Sequence, residues 1–321
     1  MPFTIDKITE PITLKKFQED YLTSNKPCIF GEWITRDWLC KRTWITNDNG
    51  IDLDYLADKF GSFTVPFIDC NNPEMECNST MLFSQYIDYL KDKSNSSEKS
   101  FYLKDWHFFK DTGMYNSFQL PTYFESDWLN SYSTQFTNDD YKFLYLGPKG
   151  TWTPFHADVF RSYSWTANIS GRKQWHLLPP GEEDSLRDAS GLFPRDITRT
   201  SHLEKFYSFI QEPGEILFVP SRWFHQVHNI DLTLSINHNW FNEYSIVSVF
   251  RFLLSELEMV EREIFDCMDM MSREEYALQC QLIMKANTGM NLVDFRRLLS
   301  SKCDLDVVKE ILNNPRFLCL N

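Results

Sequence analysis

The sequence predicts a mainly β protein, a sandwich or barrel of short strands, with helical segments at both ends. Between residues 101 and 242 the chain consists of short runs rich in aromatic and β-branched residues, separated by turns. No long helical pattern separates these runs, which is typical of sandwiches and barrels. After Glu243 apolar residues recur every three or four positions, which predicts helices. We therefore expect three parts, with boundaries at 1–100, 101–242 and 243–321.

The first part, 1–100, reads as a lead-in of mixed helices and strands that packs on the β domain. "ITLKKFQEDYLTSN" has helical spacing, and "KPCIF" follows it as a short strand. "IDLDYLADKFG" and "STMLFSQYIDYLKD" read as amphipathic helices, the second capped by Ser79 or Thr80. The segment 91–100, "KDKSNSSEKS", is predicted to be a polar loop.

The second part supplies the predicted strands, and residues 183–213 interrupt their pattern as an expected insertion. The strand-like runs are "SFYLKDWHF", "YKFLYLG", "SYSWTANI", "KQWHLLP", "EILFVP", "FHQVHNI" and "LTLSINHNW". The third part is helical from "SIVSVFRFLLSELEMVEREIFDCMDM" onwards. Its stripe of Met, Leu and Phe side chains is expected to pack on the β domain or on a second subunit, so self-association through these helices is an expectation.

Composition narrows the class of protein. The 321 residues carry a formal net charge of −13, which disfavours direct binding to nucleic acid and makes a basic protein segment the easier partner. No apolar run reaches the roughly 18 residues of a membrane span, and the N-terminal segment lacks the apolar core of a signal peptide. The 8 cysteines include no C-x-x-C pair, which argues against a structural zinc site and a disulfide framework. We therefore expect a cytoplasmic protein, with the nucleus as the alternative.

The segment "TPFHADVFRSYSW" places a histidine and an aspartate two positions apart. On an extended strand His156 and Asp158 would point the same way and offer two adjacent metal ligands. Two histidines and one carboxylate form the facial triad of non-haem Fe(II) oxygenases. His225, which opens a strand-like run after a turn, is the best second histidine, whereas His228 falls on the opposite face. His202 forms a competing His-x-Glu pair in a helix- or loop-like stretch, where residues i and i+2 diverge.

Lys173 is the next unusual residue, since it shares the strand parity of Trp175 and Leu177. A lysine on an apolar face is costly unless it meets an anion. It reads equally well as a rim lysine with its ammonium in water or as the counter-charge of a carboxylate-bearing co-substrate.

Three segments together are similar to a known family. "TPFHADVF", "ISGRKQWHLLPPG" and "GEILFVPSRWFHQV" occur in the order and spacing of the JmjC (jumonji C) class of Fe(II)- and 2-oxoglutarate-dependent oxygenases. The resemblance covers about 101–242, and "FQEDYLTSNKPCIF" resembles the usual lead-in. It implies a double-stranded β-helix, a jelly-roll or cupin-like barrel. It also implies an enzyme that uses O2 and 2-oxoglutarate to hydroxylate a substrate, with succinate and carbon dioxide as co-products.

The resemblance also implies roles for particular residues. It assigns Fe(II) to His156, Asp158 and His225, which are then both metal ligands and catalytic residues. It assigns the far carboxylate of 2-oxoglutarate to Lys173. Further co-substrate contacts are implied for five polar residues: Tyr102, Thr153, Thr166, Asn237 and Asn239. Thr166 stands where relatives carry Asn. The two asparagines are equally consistent with ordinary hydrogen-bonding residues at the end of a barrel.

Three functions are consistent with these segments. "HADVFRSYSW" most resembles cytosolic lysyl hydroxylases of the family, which implies a lysine carbon in the eukaryotic translation release factor as the target. A histone lysine demethylase would use the same chemistry, but the chain lacks the Cys-rich zinc modules and basic reader domains that many demethylases carry. A catalytically inactive cupin-like binding module is the third reading, and a complete set of ligand types argues against it.

Overall fold

The computed structural model of the chain describes residues 4–72, 79–92, 99–200 and 203–318. Within these ranges, two sheets form a sandwich. In chain order their strands are β1 (Asp6–Ile8), β2 (Cys28–Phe30), β3 (Thr64–Asp69), β4 (Ser79–Leu82), β5 (Phe101–Trp106), β6 (Lys142–Gly147), β7 (Trp152–His156), β8 (Tyr163–Ser170), β9 (Lys173–Leu178), β10 (Tyr207–Gln211), β11 (Ile216–Val219), β12 (Phe224–Asn229) and β13 (Thr233–Trp240).

The larger sheet has nine strands in the order β1-β2-β11-β8-β13-β6-β5-β3-β4, and the smaller has four in the order β10-β9-β12-β7. Pairing is antiparallel except between β1 and β2. The predicted mainly β jelly-roll architecture with flanking helices is therefore confirmed. Because β1 to β4 pair into the larger sheet, the first hundred residues extend this sheet.

The helices lie before, between and after the strands. They are α1 (Leu14–Phe17), which continues as a π-helical segment (Gln18–Thr23), α2 (Leu39–Thr43), α3 (Leu53–Phe60), α4 (Phe83–Lys91), α5 (Phe108–Thr112), α6 (Trp128–Phe136), α7 (Ile246–Glu263), α8 (Arg273–Thr288), α9 (Leu292–Ser300), α10 (Asp306–Leu312) and α11 (Pro315–Leu318). None of the helices in the described ranges has the length and apolarity needed to cross a bilayer.

The chain changes sheets between β8 and β9, which are consecutive in sequence but belong to opposite sheets. Gly171 makes this connection with a φ of +78°, and a Cβ there would collide with the carbonyl oxygen of Leu232. Glycine is required because other residues adopt this conformation only with strain. The connection places Lys173, the first residue of β9, opposite the larger sheet.

Four apolar clusters lie among the described residues, and one of them packs β2 and β11 of the larger sheet against β9 and β12 of the smaller sheet. Two of the four are large. The first lies between the larger sheet and the N-terminal helices, and its fully buried side chains include Phe17, Trp165 and Trp240. The second joins α6 to the C-terminal helices through side chains such as Leu253 and Phe295. Part of the apolar stripe of the third part therefore packs within its own chain, whereas Phe265 and Met270 are exposed. Self-association through this stripe stays a prediction.

Two elements differ from the sequence-based prediction. The helix expected to begin at Ser79 or Thr80 begins at Phe83, because residues 79–82 pair with β3 as strand β4. The segment 183–213, expected to be an insertion, ends in strand β10, which pairs with β9 at the edge of the smaller sheet. Most of the predicted polar loop, residues 93–98, lies outside the described residues.

Candidate metal centre and co-substrate cavity

A cavity of about 340 Å³ opens between the two sheets. Strands β5, β6, β8 and β13 of the larger sheet line one wall, and β7, β9 and β12 of the smaller sheet line the other. All the site residues expected from the sequence contribute to this lining: Tyr102, Thr153, His156, Asp158, Thr166, Lys173, His225, Asn237 and Asn239. The structure thus brings the predicted site together in one place.

The candidate metal ligands are His156, Asp158 and His225. His156 and His225 are direct cross-strand partners on β7 and β12, with ring centroids 4.3 Å apart. β7 ends at His156, and the extended backbone of Asp158 (φ −57°, ψ 155°) directs its carboxylate to the same point. One ligand atom from each residue lies within 4.8 Å of the others, which suits a facial triad on one metal ion.

Hydrogen bonds fix the orientation of all three side chains. The Nδ1 atoms of His156 and His225 lie 2.8 Å and 3.1 Å from the carbonyl oxygens of Pro154 and Trp223. A carbonyl oxygen only accepts, so each Nδ1 carries the proton and each Nε2 is left as the metal ligand. The Ser164 hydroxyl donates to the Asp158 carboxylate over 2.8 Å. These partners give the donor set and orientation that Fe(II) requires.

Burial and the neighbouring His225 lower the pKa of His156 to about 3. The imidazole is therefore neutral at physiological pH. A metal ligand must be in this state, so the site is prepared for a cation without first releasing a proton.

Lys173 lies deep in the cavity with only 3% of its surface exposed, which rules out the alternative of a rim lysine in water. Its Nζ lies 3.3 Å from the Tyr102 hydroxyl and 5.9 Å from the ring centres of Tyr102 and Tyr145. No carboxylate oxygen of the described residues lies within 4.0 Å of it. Burial accordingly lowers the Lys173 pKa to about 7. A buried cation without a counter-charge fits the carboxylate of a bound co-substrate.

The remaining predicted residues form two polar groups. The Tyr102 hydroxyl accepts a hydrogen bond from Lys173, and Thr153 lines the same cavity. On the larger sheet Thr166 donates to Asn237 over 2.6 Å, and Asn237 donates to Asn239 over 3.0 Å. Both asparagines therefore line the cavity and are also hydrogen-bonded within the sandwich. Their contact with co-substrate stays a prediction.

Sequence reasoning missed part of the cavity wall. An extra residue in β5, between Leu103 and Trp106, directs Lys104 and Asp105 into the cavity. Asp105 has a φ of +60°, its Oδ1 accepts a hydrogen bond of 2.7 Å from Tyr145, and its Oδ2 lies 3.4 Å from the Lys104 ammonium. A non-glycine residue in this strained conformation is often found at a functional site.

The other histidines lie elsewhere. His228 stacks on Trp152 on the outer side of the smaller sheet, and His238 is buried against Asp127. His107 is near Asp139 and Asp140, and Lys110 already pairs with Asp139. His202 lies outside the described residues.

A sandwich of two sheets that encloses a His-Asp-His centre and a buried lysine defines a cupin-like, metal-dependent oxygenase. Residues 14–246 match the family model of the cupin-like domain. The chain is 44% identical over 312 residues to "2-oxoglutarate and iron-dependent oxygenase JMJD4" of Gallus gallus, with 92% of this chain and 73% of that protein covered. The Homo sapiens protein of the same name is 39% identical over 317 residues, with 93% and 76% covered.

A plant relative carries a different name. "Arginine-specific demethylase JMJ20" of Arabidopsis thaliana is 37% identical over 310 residues, with 88% of this chain and 66% of that protein covered. The chain belongs to the JmjC-type, cupin-like family of 2-oxoglutarate and iron-dependent oxygenases.

The enzyme uses Fe(II), 2-oxoglutarate and O2, and its residues fit these groups. Bound iron and 2-oxoglutarate supply the oxidation of a C–H bond by O2, in which one oxygen atom enters succinate and the other the substrate. His156, Asp158 and His225 would hold the metal, since their ligand atoms lie within 4.8 Å of one another. Lys173 would pair with the far carboxylate of 2-oxoglutarate, and the aromatic side chains of Tyr102, Tyr145 and Trp175 line the cavity around it.

Proposed function

We propose that this oxygenase hydroxylates a lysine side-chain carbon in a protein, namely the eukaryotic translation release factor. In this reaction 2-oxoglutarate, O2 and a lysine C–H give succinate, carbon dioxide and hydroxylysine. The similarity of "HADVFRSYSW" to cytosolic lysyl hydroxylases supports this target, and a cytoplasmic location belongs to the same proposal. Neither a membrane nor a nucleic acid is needed as a partner.

The position of Asp105 in the cavity is the observation that supports a substrate with a positively charged side chain. Apart from the ligand Asp158, it is the one carboxylate among the described residues that line the cavity. Its side chain is 38% exposed, so it is reachable from solvent. A lysine ammonium that enters the cavity would find this carboxylate near the metal centre, where a charge-assisted hydrogen bond fixes its position. The net charge of −13 also steers a basic protein segment towards the enzyme.

Demethylation is the second candidate, and the similarity to the plant protein named as an arginine demethylase favours it. A demethylase hydroxylates an N-methyl carbon, and the product then releases formaldehyde. A histone lysine demethylase would follow the same course on methylated lysine. Both reactions need a methylated cation, whereas the proposed hydroxylase acts on the unmodified side chain.

The test offers three substrates to the purified protein with Fe(II) and 2-oxoglutarate: unmodified release factor, a methyl-lysine histone peptide and a methyl-arginine histone peptide. Mass spectrometry should find one added oxygen on a lysine of the release factor and no loss of methyl from the peptides. Methyl loss with formaldehyde, and no added oxygen on the release factor, would replace the proposal with a demethylase. Absence of iron-dependent succinate under all conditions would favour an inactive binding module.

A further inference from the structure

A second cavity, separate from the metal centre, brings three arginines together. It measures about 320 Å³ and is lined by Arg161, Arg222 and Arg251 with Ser248, Phe252 and Ser255. We name it the arginine pocket. In a chain of net charge −13, such a concentration of positive charge stands out.

The three guanidinium groups have no direct counter-charge. Among the described residues, no carboxylate oxygen lies within 4.0 Å of any of them. Glu256 and Glu183 act on Arg161 only from a greater distance. Like charges held close together without a carboxylate between them repel one another, and a bound anion would remove that repulsion. Guanidinium groups also bind carboxylates in a two-pronged geometry.

The pocket is a built feature of the fold. The Arg161 guanidinium lies 5.0 Å from the ring centre of Phe224 and 5.3 Å from that of Phe252, so two aromatic rings hold it in place. Arg161 and Arg222 both have positive φ angles, 55° and 68°. The Ser221 hydroxyl donates to the Arg161 carbonyl over 2.5 Å and ties the two strained turns together. Such strain persists only where the surrounding structure imposes it.

The arginine pocket is also close to the metal centre along both chain segments. Arg161 follows Asp158 by three residues, and Arg222 precedes His225 by three, so each Cα lies at most about 11 Å from that of a ligand. A polypeptide whose target side chain enters the cavity therefore has the arginine pocket within reach of its neighbouring residues.

We propose that the arginine pocket binds an acidic side chain, Asp or Glu, of the protein substrate near the target residue. The choice of a protein segment over a free anion rests on the proposed function, in which the substrate is a protein. Ser248 and Ser255 offer hydroxyl donors for the carboxylate, and the Phe252 ring offers an apolar surface for its methylene groups. An extended nucleic-acid backbone is a poorer fit, because it needs a long basic track.

The test measures binding of a fluorescein-labelled hexaglutamate peptide to the metal-loaded protein by anisotropy. Arg251→Gln is the pocket variant, and Arg36→Gln, an exposed arginine outside the pocket, is the control with the same change in net charge. Arg251→Gln should weaken binding about tenfold, the effect of roughly one charge-assisted hydrogen bond, whereas Arg36→Gln should not. Equal effects of the two substitutions would mean that the change in net charge alone weakens peptide binding, which would overturn the proposal.

Two further arms separate this proposal from the others. In the first arm inorganic phosphate replaces the peptide. Strong binding of phosphate without binding of hexaglutamate would identify a phosphate site and overturn the proposal. The second arm measures succinate formation without protein substrate. Arg251→Gln should match the wild type there, because Arg251 lines the arginine pocket and does not line the metal cavity. Because hexaglutamate contains no lysine, its binding is independent of the reaction assigned under the proposed function.

Discussion

The Lys173 ammonium lies 3.3 Å from the Tyr102 hydroxyl and has no carboxylate beside it in the described parts of the chain. A neutral phenol stabilises a buried ammonium less than a carboxylate does, so the Tyr102 hydroxyl offsets only part of the cost of burying the Lys173 charge. The far carboxylate of 2-oxoglutarate would offset the rest of this cost by supplying a counter-charge.

The first prediction is that Lys173→Ala raises the 2-oxoglutarate concentration needed for half-maximal succinate formation by roughly one to two decades. The cause is loss of a charge-assisted pair that water does not replace. Lys173→Arg should recover only part of the affinity, because a planar guanidinium is larger than an ammonium. If Lys173→Ala needs the same 2-oxoglutarate concentration as the wild type, the far carboxylate of 2-oxoglutarate binds elsewhere.

The second prediction concerns stability without metal or co-substrate. The Lys173 pKa falls from 10.5 to about 7 on folding, so between these values the unfolded chain binds more protons. The destabilisation is therefore complete below pH 7 and fades as the pH rises towards 10.5. Lys173→Met should melt several degrees higher than the wild type at pH 7, and the difference should shrink by pH 9.5.

Circular dichroism at a series of pH values checks this second prediction. Residues that titrate in both proteins cancel in the difference between the two melting temperatures. A difference that stays constant with pH would mean that folding leaves the Lys173 pKa unchanged, as expected if the ammonium already has a counter-charge in the folded protein.

The third prediction separates the metal ligand from the residue that orients it. Asp158→Ala should abolish succinate formation, because two histidines alone hold Fe(II) poorly, yet it should leave the far-ultraviolet spectrum unchanged. Ser164→Ala removes only the hydrogen bond to Asp158, so it should weaken Fe(II) binding by about 10- to 100-fold. Anaerobic titration with Fe(II) measures both effects, and full turnover by Asp158→Ala would reject the ligand assignment.

The fourth prediction concerns Gly147, whose backbone lies close to Tyr102 in the wall of the cavity. A Cβ on Gly147 would lie 2.5 Å from the Tyr102 ring and 2.6 Å from the Thr151 hydroxyl oxygen. Gly147→Ala should therefore displace Tyr102, and through it Lys173, and raise the 2-oxoglutarate requirement about tenfold. Gly150→Ala is a control, because a Cβ there meets no atom within 4 Å, although its positive φ makes the substitution mildly destabilising. Equal co-substrate requirements in the two variants would show that Tyr102 is not displaced.

Much of the site could be predicted from the sequence because strand parity is a local property. His156, Asp158 and Lys173 follow that parity. His225 was predicted from its position after a turn at the start of a strand-like run, and the family resemblance implied the same residue. Asp105 could not be found in this way, because the bulge in β5 breaks the alternation of facing side chains. The arginine pocket was missed because two separate turns and helix α7 come together only in three dimensions.

The elements that were missed also have physical causes. β10 is an edge strand with exposed Ser208 and Ile210, so it lacks the apolar signal of the inner strands. β4 carries residues compatible with a helix, and its pairing with β3 overrides that local preference. In both cases the deciding interaction is with a strand distant in the sequence.

The direct pairing of His156 with His225 has a consequence for how the protein opens. β7 and β12 are far apart in the chain, so an ion held by both histidines acts as a cross-link that closes a long loop. Metal binding is linked to the native state alone and slows separation of these two strands. Amide protons of β7 and β12 should then exchange much more slowly in the iron-loaded protein, whereas those of edge strand β10 keep their own faster rate.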